Sequence, residues 1–460
     1  MRNYGRYKQT YVSKKVMKTP ICDFIKKYCE SDSSRFHMPG HKGVNVTGSE
    51  QFDITEIDGA GCLYDTEGLI VESERNASTL FGANTFYSTE GSSLSIRAML
   101  FLALKYAKKQ GVKPIVAVGR NAHKAFLSAA ALLDIEPVWI FPDKNSYLSC
   151  QINANSLRSF FKSQKNKVFA LYLTSPDYLG NTVDVKEISA VCKEYGVLLL
   201  VDNAHGAYLK FLPTSLHPID LGADMCCDSA HKTLCSLTGG AYLHVSKTAP
   251  EDFSINAKSA MALFGSTSPS YLILQSLDKL NESLENDYTE RLNKLTIKIQ
   301  NVKNLLLSHG YDLCGNEPLK ITIKTKSYGY EGGEFSDLLK ENKIICEFYD
   351  NDFVVLMLSV ENSYGDIDKL QNILLSIPKR AAILDIVPPL KTPQKAMTIR
   401  EATLSPSEII SVENALGRVL SVPSVSCPPA VPIIVSGEII DDAAIKCFNY
   451  FGIKKCEVVK

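Results

Sequence analysis

Between about residue 70 and residue 260, short apolar runs alternate with amphipathic stretches. Pro114-Ile115-Val116-Ala117-Val118, Val138-Trp139-Ile140-Phe141, Val168-Phe169-Ala170-Leu171-Tyr172-Leu173 and Val197-Leu198-Leu199-Leu200-Val201 each read as a short buried strand. Gly91 to Gln110 reads as a helix, with Leu94, Ala98, Phe101, Leu102 and Lys105 at helical spacing. His123 to Leu133 and Asp184 to Tyr195 repeat that pattern, the second closed by Gly196. Near-continuous apolar strands separated by helices predict an α/β, mostly parallel sheet covered on both faces. In such sheets the ligand lies beyond the carboxyl ends of the strands.

The flanks read differently. The first sixty or so residues look irregular, an arm that packs on something else, such as a partner subunit, with a turn at Pro39-Gly40 inside Arg35 to Gly43. Beyond Pro269 a charged, Leu-punctuated pattern predicts one long bridging helix to about Leu307, ending at His309-Gly310. Residues 311 to about 375 read as a smaller α/β unit, with Leu319 to Ile323 alternating as a strand. The last eighty residues are Pro-punctuated, and the chain shows no internal repeat.

Composition narrows the role. The 460 residues hold 50 basic and 50 acidic side chains, which gives no support to a nucleic-acid or membrane-surface function. The opening Met1 to Lys8 is basic, but no apolar run follows it, so it fails as a signal peptide. No run approaches the roughly eighteen apolar residues of a membrane span. Thirteen cysteines without a CxxC pair suggest reduced thiols in a cytoplasmic protein.

The chemistry concentrates at Lys232, in Asp228-Ser229-Ala230-His231-Lys232-Thr233. It follows by thirty residues Asp202, which ends the Leu-rich strand. An amine for a Schiff base and a carboxylate to keep a pyridinium nitrogen protonated are what pyridoxal 5'-phosphate requires. Tyr87-Ser88-Thr89-Glu90-Gly91-Ser92-Ser93 opens a helix with the hydroxyls and N–H groups that a phosphate needs, or is an ordinary N-cap. His123, in Gly119 to Lys124, either lies flat on the cofactor ring or caps the helix it opens. Ser229 and His231 flank Lys232 and suit phosphate contacts. His205 is near enough to reach the site, and Gly206 permits close backbone approach. Thr174 to Tyr178 ends another strand on the same side, as a contact to ring or substrate or as a Ser-Pro turn.

Three segments together resemble the bacterial Orn/Lys/Arg decarboxylase family: Phe36-His37-Met38-Pro39-Gly40-His41-Lys42, Asp202 to Ala207, and Ser229-Ala230-His231-Lys232-Thr233-Leu234. Thr267-Ser268-Pro269-Ser270-Tyr271 and Cys427-Pro428-Pro429-Ala430-Val431-Pro432 with Gly437-Glu438 extend the likeness over nearly the whole chain, in the short form without an N-terminal receiver-like wing. The resemblance implies an aspartate-aminotransferase-like fold type I enzyme, with a seven-stranded sheet and a smaller C-terminal α/β domain. The implied domains are an arm (1–65), a large cofactor-binding domain (66–268), the bridging helix with the small domain (269–385), and a C-terminal domain (386–460).

Carried over, it makes Lys232 the Schiff-base lysine, Asp202 the pyridinium partner and His123 the stacking residue. Ser88, Thr89, Glu90 (through its backbone), Gly91, Ser229 and His231 gather at the phosphate, with no metal implied. It also implies a homodimer or larger homo-oligomer with the site at the interface, Thr267 and Ser268 reaching the neighbour's phosphate. The expected reaction is decarboxylation of arginine, lysine or ornithine to the corresponding polyamine-pathway amine, with Lys232 or His205 returning the proton. An aminotransferase, a β-eliminating lyase or a non-catalytic cofactor-binding homologue are the alternatives. Glu438 is a candidate reader of the substrate's distal cation, or else a solvent-exposed turn residue. Departures from the family pattern are Asn203 where Glu is usual, Cys427-Pro428-Pro429-Ala430 for Tyr-Pro-Pro-Gly, Ile399 for Pro before Arg400, and no acidic pair in Asp58 to Leu63.

Overall fold

The computed structural model describes residues 17–113, 115–142, 148–385, 387–389, 391–422, 425–427 and 431–460. The opening Met1 to Lys8, Pro114 and Pro428-Pro429-Ala430 lie outside the described residues, as do the side chains of Cys427 and Val431.

The stretch expected to be irregular contains a helix, α1 (Pro20–Glu30), with Pro20 in its first turn and Ile21 and Ile25 one turn apart on its buried face. Phe24 and Tyr28 join them at spacings of three and four and pack on the same core. After α2 (Leu69–Phe81) come β1 (Asn84–Ser88), α3 (Gly91–Lys109), β2 (Ile115–Gly119), α4 (Lys124–Leu133), β3 (Glu136–Ile140), α5 (Ala154–Ser163), β4 (Ala170–Thr174), α6 (Val185–Tyr195) and β5 (Leu198–Asp202). Then follow β6 (Met225–Asp228), α7 (Ala230–Thr233), β7 (Ala241–Val245) and α8 (Glu251–Ala262). The seven strands form one sheet in the order β1-β7-β6-β5-β4-β2-β3. Strands β2 to β6 pair parallel, and β7 runs antiparallel to both of its neighbours. The α/β, mostly parallel expectation holds.

Side chains two apart on each strand share a face, so alternate residues enter separate cores. Leu200 packs with Leu94, Met99 and Phe126 beneath α3, α4 and α8. Leu199 and Val201 pack with Leu157, Ile188 and Val191 beneath α5 and α6. The Asp184 side chain caps α6 by accepting from Glu187 N, and Gly196 ends it in the left-handed region at φ 63°. The chain then turns at once into β5, whose carboxyl end is Asp202.

The expected long bridge is instead two helices, α9 (Tyr271–Glu285) and α10 (Tyr288–Ser308). They break at Asn286, which leaves helical geometry at ψ −94°. Asn and Asp compete for backbone hydrogen bonds and weaken a helix interior, and the break lets Tyr288 bury its ring against Phe211 at 5.4 Å. Strands β8 (Leu313–Cys314), β9 (Lys320–Lys324), β10 (Phe348–Tyr349) and β11 (Phe353–Met357) form an antiparallel sheet ordered β10-β11-β9-β8, flanked by α11 (Gly332–Glu341) and α12 (Tyr364–Ser376). One continuous core joins this unit to α1, α2, α9 and α10 through Ile21, Leu274, Leu292, Ile323 and Leu374. The remaining residues supply α13 (Ile399–Leu404), β12 (Ser407–Ser411), β13 (Val425–Cys427), β14 (Val431–Ile434), α14 (Asp442–Tyr450) and β15 (Lys455–Val459), with β12 paired to β15 and β13 to β14.

Candidate active site

The carboxyl ends of β4, β5 and β6 converge on a cavity of about 380 Å³. Thr174 and Tyr178 enter it from β4, Asp202, Ala204 and His205 from β5, and Ser229, His231 and Lys232 from β6.

Lys232 stands on the single turn of α7, anchored by the buried Ala230 and Thr233. Its Nζ lies 3.1 Å from Nε2 of His205. Burial pushes the Lys232 amine below the usual lysine range, against the pull of Asp202 and Glu347. Burial, reinforced by the positive charges of Lys232 and Lys320, pushes His205 well below the usual imidazole range. The His205 ring meets Tyr178 edge-on at 5.0 Å. Asp202 is 2% exposed. Its carboxylate accepts from Tyr172 Oη and Ala204 N, both at 3.1 Å, and so is aimed by the neighbouring strand and by its own turn. At Gly206 a Cβ would strike Asn203 Oδ1 at 2.1 Å, so the backbone there does approach as closely as a glycine allows.

At the opposite wall, β1 turns into α3. Ser88 Oγ donates to Gly91 O at 2.9 Å and accepts from Glu90 N at 3.2 Å. Gly91, at φ 69°, donates its N–H to Gly239 O at 2.8 Å. Gly239 sits at φ 100° with Thr89 O where a Cβ would be, 2.8 Å away, so that junction admits only glycine. Beyond Gly91 the first residues of α3 are Ser92 and Ser93, both in the cavity wall, and Ser229 Oγ donates to Ser92 Oγ at 2.9 Å. A helix start with serines attracts a phosphate. His231 Nδ1 lies 2.9 Å from Gly240 O.

His123 caps α4, its Nδ1 accepting from Ala125 N at 3.1 Å, while its ring lines the cavity. The capping alternative is therefore realised, and the cap leaves the second ring nitrogen carrying the hydrogen. Burial pushes His123 below its usual range, opposed by Asp202.

Of the expected residues, Glu90, Gly91, His123, Asp202, His205, Ser229, His231 and Lys232 meet at the cavity. Ser88 and Thr89 stand behind its wall, shaping the turn. Thr267 and Ser268 are exposed and lie outside this chain's cavity wall. Glu438 needs correction on both readings. It is 5% exposed and paired with Arg120 through contacts of 2.9 and 2.8 Å, and it accepts from Val435 N. That pair joins the end of β2 to the C-terminal segment and spends the Glu438 charge. Thr238 and Gly239 line the cavity as well, and Thr238-Gly239-Gly240 so soon after Lys232 is the sequence signal of a backbone that comes close to another. Tyr172 holds Asp202 from 30 positions away, a contact with no local sign in the sequence.

The cavity suits pyridoxal phosphate on its own chemistry. It offers an amine, a carboxylate, a flat imidazole and a helix start, and two buried atoms of its walls, Thr174 Oγ1 and His205 Nδ1, have no hydrogen-bond partner among the described residues. The family model described as Orn/Lys/Arg decarboxylase, major domain, matches residues 19–311.

The chain belongs to the Orn/Lys/Arg decarboxylase family.

As a member it is a pyridoxal-phosphate-dependent decarboxylase. The chain is 28% identical to the uncharacterized protein YaaO of Bacillus subtilis, over 94% of this chain and 93% of that one. It is 27% identical to the arginine decarboxylase of the same organism, over 93% and 92%. Lysine decarboxylase A from Pseudomonas aeruginosa has the same fold, at TM-score 0.80 and 17% identity, over 96% of this chain and 80% of that structure.

Proposed function

We propose that this decarboxylase acts on a basic amino acid, arginine, lysine or ornithine, releasing carbon dioxide and the corresponding amine. The observation that carries the reading is the contact of Lys232 Nζ with His205 Nε2, 3.1 Å apart, in a cavity whose floor is Asp202. Lys232, its amine pushed below the usual lysine range by burial, would be the residue that holds the cofactor's aldehyde. Asp202 would keep the ring nitrogen protonated, His123 would cover the ring, and Gly91, Ser92, Ser93, Ser229 and His231 would hold the phosphate. Pyridoxal phosphate supplies an electron sink for the pair left when the Cα–carboxylate bond breaks. Once the substrate's amine has displaced it, Lys232 Nζ, 3.1 Å from His205 Nε2, would hold the proton that returns to Cα.

Glu347 takes the place first given to Glu438 as reader of the distal cation. It accepts from Tyr178 Oη at 3.1 Å, and its charge bears on Lys232 and His231. Exposed Phe36 (97%) and Met38 (65%) on the arm, and the exposed Thr267 and Ser268, support a second copy closing the site. No described helix is long and apolar enough to cross a membrane.

The test is a product spectrum. Protein loaded with pyridoxal phosphate is incubated separately with arginine, lysine and ornithine, and amine and carbon dioxide are quantified. Agmatine, cadaverine or putrescine with equal carbon dioxide is expected from one of them. A keto acid without carbon dioxide, or no product from any of the three, would remove this reading.

A further inference from the structure

Asp228 ends β6 immediately before the turn that bears Lys232, and it is fully buried. Its Oδ1 accepts from Asn203 Nδ2 at 2.7 Å. Its Oδ2 meets His217 Nε2 at 3.0 Å and His244 Nε2 at 3.2 Å, both rings also at 0% exposure. Thr85 Oγ1 lies 2.9 Å from His244 Nδ1, which suits a ring that donates from Nε2. The Phe81 ring covers both imidazoles, at 5.6 and 4.5 Å. None of these groups lines the cavity, yet the cluster touches both catalytic turns. Asn203 follows Asp202 directly, donates its backbone N–H to Cys227 O at 3.0 Å and accepts from Gly206 N at 2.7 Å. Its side chain fills the space under Gly206. The Asn203–Asp228 hydrogen bond is thus a side-chain tie between the segment of Asp202 and His205 and the segment of Lys232.

We propose that Asp228 is a positioning residue for decarboxylation, locking the Asp202–His205 turn to the Lys232 turn through Asn203, with His217 and His244 fixing its second oxygen. The inference rests on the reading of Asp202 and Lys232 as cofactor-holding residues. It also accounts for a departure from the family pattern. A Glu at position 203 would set a second buried carboxylate against Asp228, and two such groups in contact cannot both stay ionised. Asn donates where Glu would repel. Other titratable groups facing the cluster are Cys226, whose Sγ is 3.9 Å from His217 Nε2, Tyr242 on β7, and the Lys210–Asp220 pair. Three ligand-type atoms this close could also hold a metal. Both imidazoles bear on one oxygen at hydrogen-bond distance, which favours the tie.

The experiment uses the full chain loaded with pyridoxal phosphate. Asp228→Asn, Asn203→Ala and the exchange Asn203→Asp/Asp228→Asn are compared with wild type by cofactor absorbance against pH, by kcat and KM separately, and by metal analysis. Asn203→Ala leaves the Asp228–imidazole contacts in place, so it serves if Asp228→Asn does not fold. Both single variants should keep the lysine-linked absorbance, shift its pH midpoint, and lose about tenfold in kcat with KM within about twofold, the mark of a lost transition-state arrangement. The exchange, which restores one carboxylate and one amide across the same contact, should recover most of the loss. A wild-type kcat and spectral titration in Asn203→Ala would overturn the inference. So would an exchange no better than Asp228→Asn, or one metal ion per wild-type chain that Asp228→Asn abolishes. Wild type without lysine-linked absorbance would instead strike the reading of Lys232, and this inference with it.

Discussion

Asp228 and Asp278 are both aspartates at 0% exposure, and their surroundings drive them in opposite directions. Asp228, beneath the active site, faces two imidazoles, whose contacts outweigh burial and hold its carboxyl below the usual range. Asp278, on α9, faces only neutral donors: Ile21 N at 2.9 Å, Cys22 N at 3.0 Å and Ser73 Oγ at 2.5 Å. Burial wins there, and the carboxyl is pushed up to about 6. Asp278 caps the first turn of α1 from 257 residues away, where Thr19 makes no side-chain cap. Glu438 gives a third arrangement, a buried carboxylate met squarely by a guanidinium. At Asp278 the neutral donors leave burial dominant, whereas at Asp228 the two imidazoles outweigh it.

Four changes test that contrast between a region built for chemistry and regions built for anchorage. Lys232→Ala should remove the lysine-linked cofactor absorbance and lower turnover by about 10²–10⁴-fold or more, the range of a lost proton-transfer group, with little change in Tm. A retained absorbance band would show that another amine holds the cofactor. Glu438→Gln leaves Arg120 buried without its counter-charge and should cost about 3–5 kcal/mol in denaturant unfolding. A loss under 1 kcal/mol would mean that water reaches Arg120.

Asp278 tests the neutral-donor arrangement through pH. Its folded pKa of about 6 lies above the usual aspartate value of about 3.9, so the folded state binds the proton more tightly. The burial cost is then present at neutral pH and is relieved as pH falls through about 6 towards about 4. This group alone contributes a gain of at most about 3 kcal/mol in that window. Unfolding free energies of wild type and Asp278→Asn at pH 7.5 and 4.5 should differ in slope by that sign; parallel curves would contradict it. Smallest is Tyr178→Phe, which removes the hydrogen bond to Glu347 and should raise KM by roughly a fewfold, as a net loss of about 0.5–1.5 kcal/mol implies, with the cofactor still bound. An unchanged KM for every basic substrate would take Glu347 out of the recognition.

Much of the site was legible because its parts sit at strand ends. A run such as Leu198 to Asp202 declares both a buried strand and the face on which its last side chain emerges, and the Ser-Ala-His-Lys turn announces its own chemistry. The segment expected to meet a phosphate was legible as Tyr87 to Ser93, although the structure gives Ser88 and Thr89 to shaping the turn and Ser92 and Ser93 to the cavity wall. Helix α1 left a local signal in the spacing of Ile21, Phe24, Ile25 and Tyr28, whereas at the break the one Asn-Asp step is a weak signal beside the tertiary contacts that stabilise it.

By itself the sequence determined the α/β class, the strand-end position of Asp202, the chemistry of the segment that bears Lys232 and the capacity for pyridoxal phosphate, because each follows from local periodicity and side-chain type. Only the tertiary structure decided what each charge meets: Glu438 on Arg120, Asp228 between two imidazoles, Asp278 at the start of a distant helix. The partners in those contacts lie 11 to 318 residues apart. What a buried carboxylate does depends on groups that folding alone brings within 3.2 Å of it.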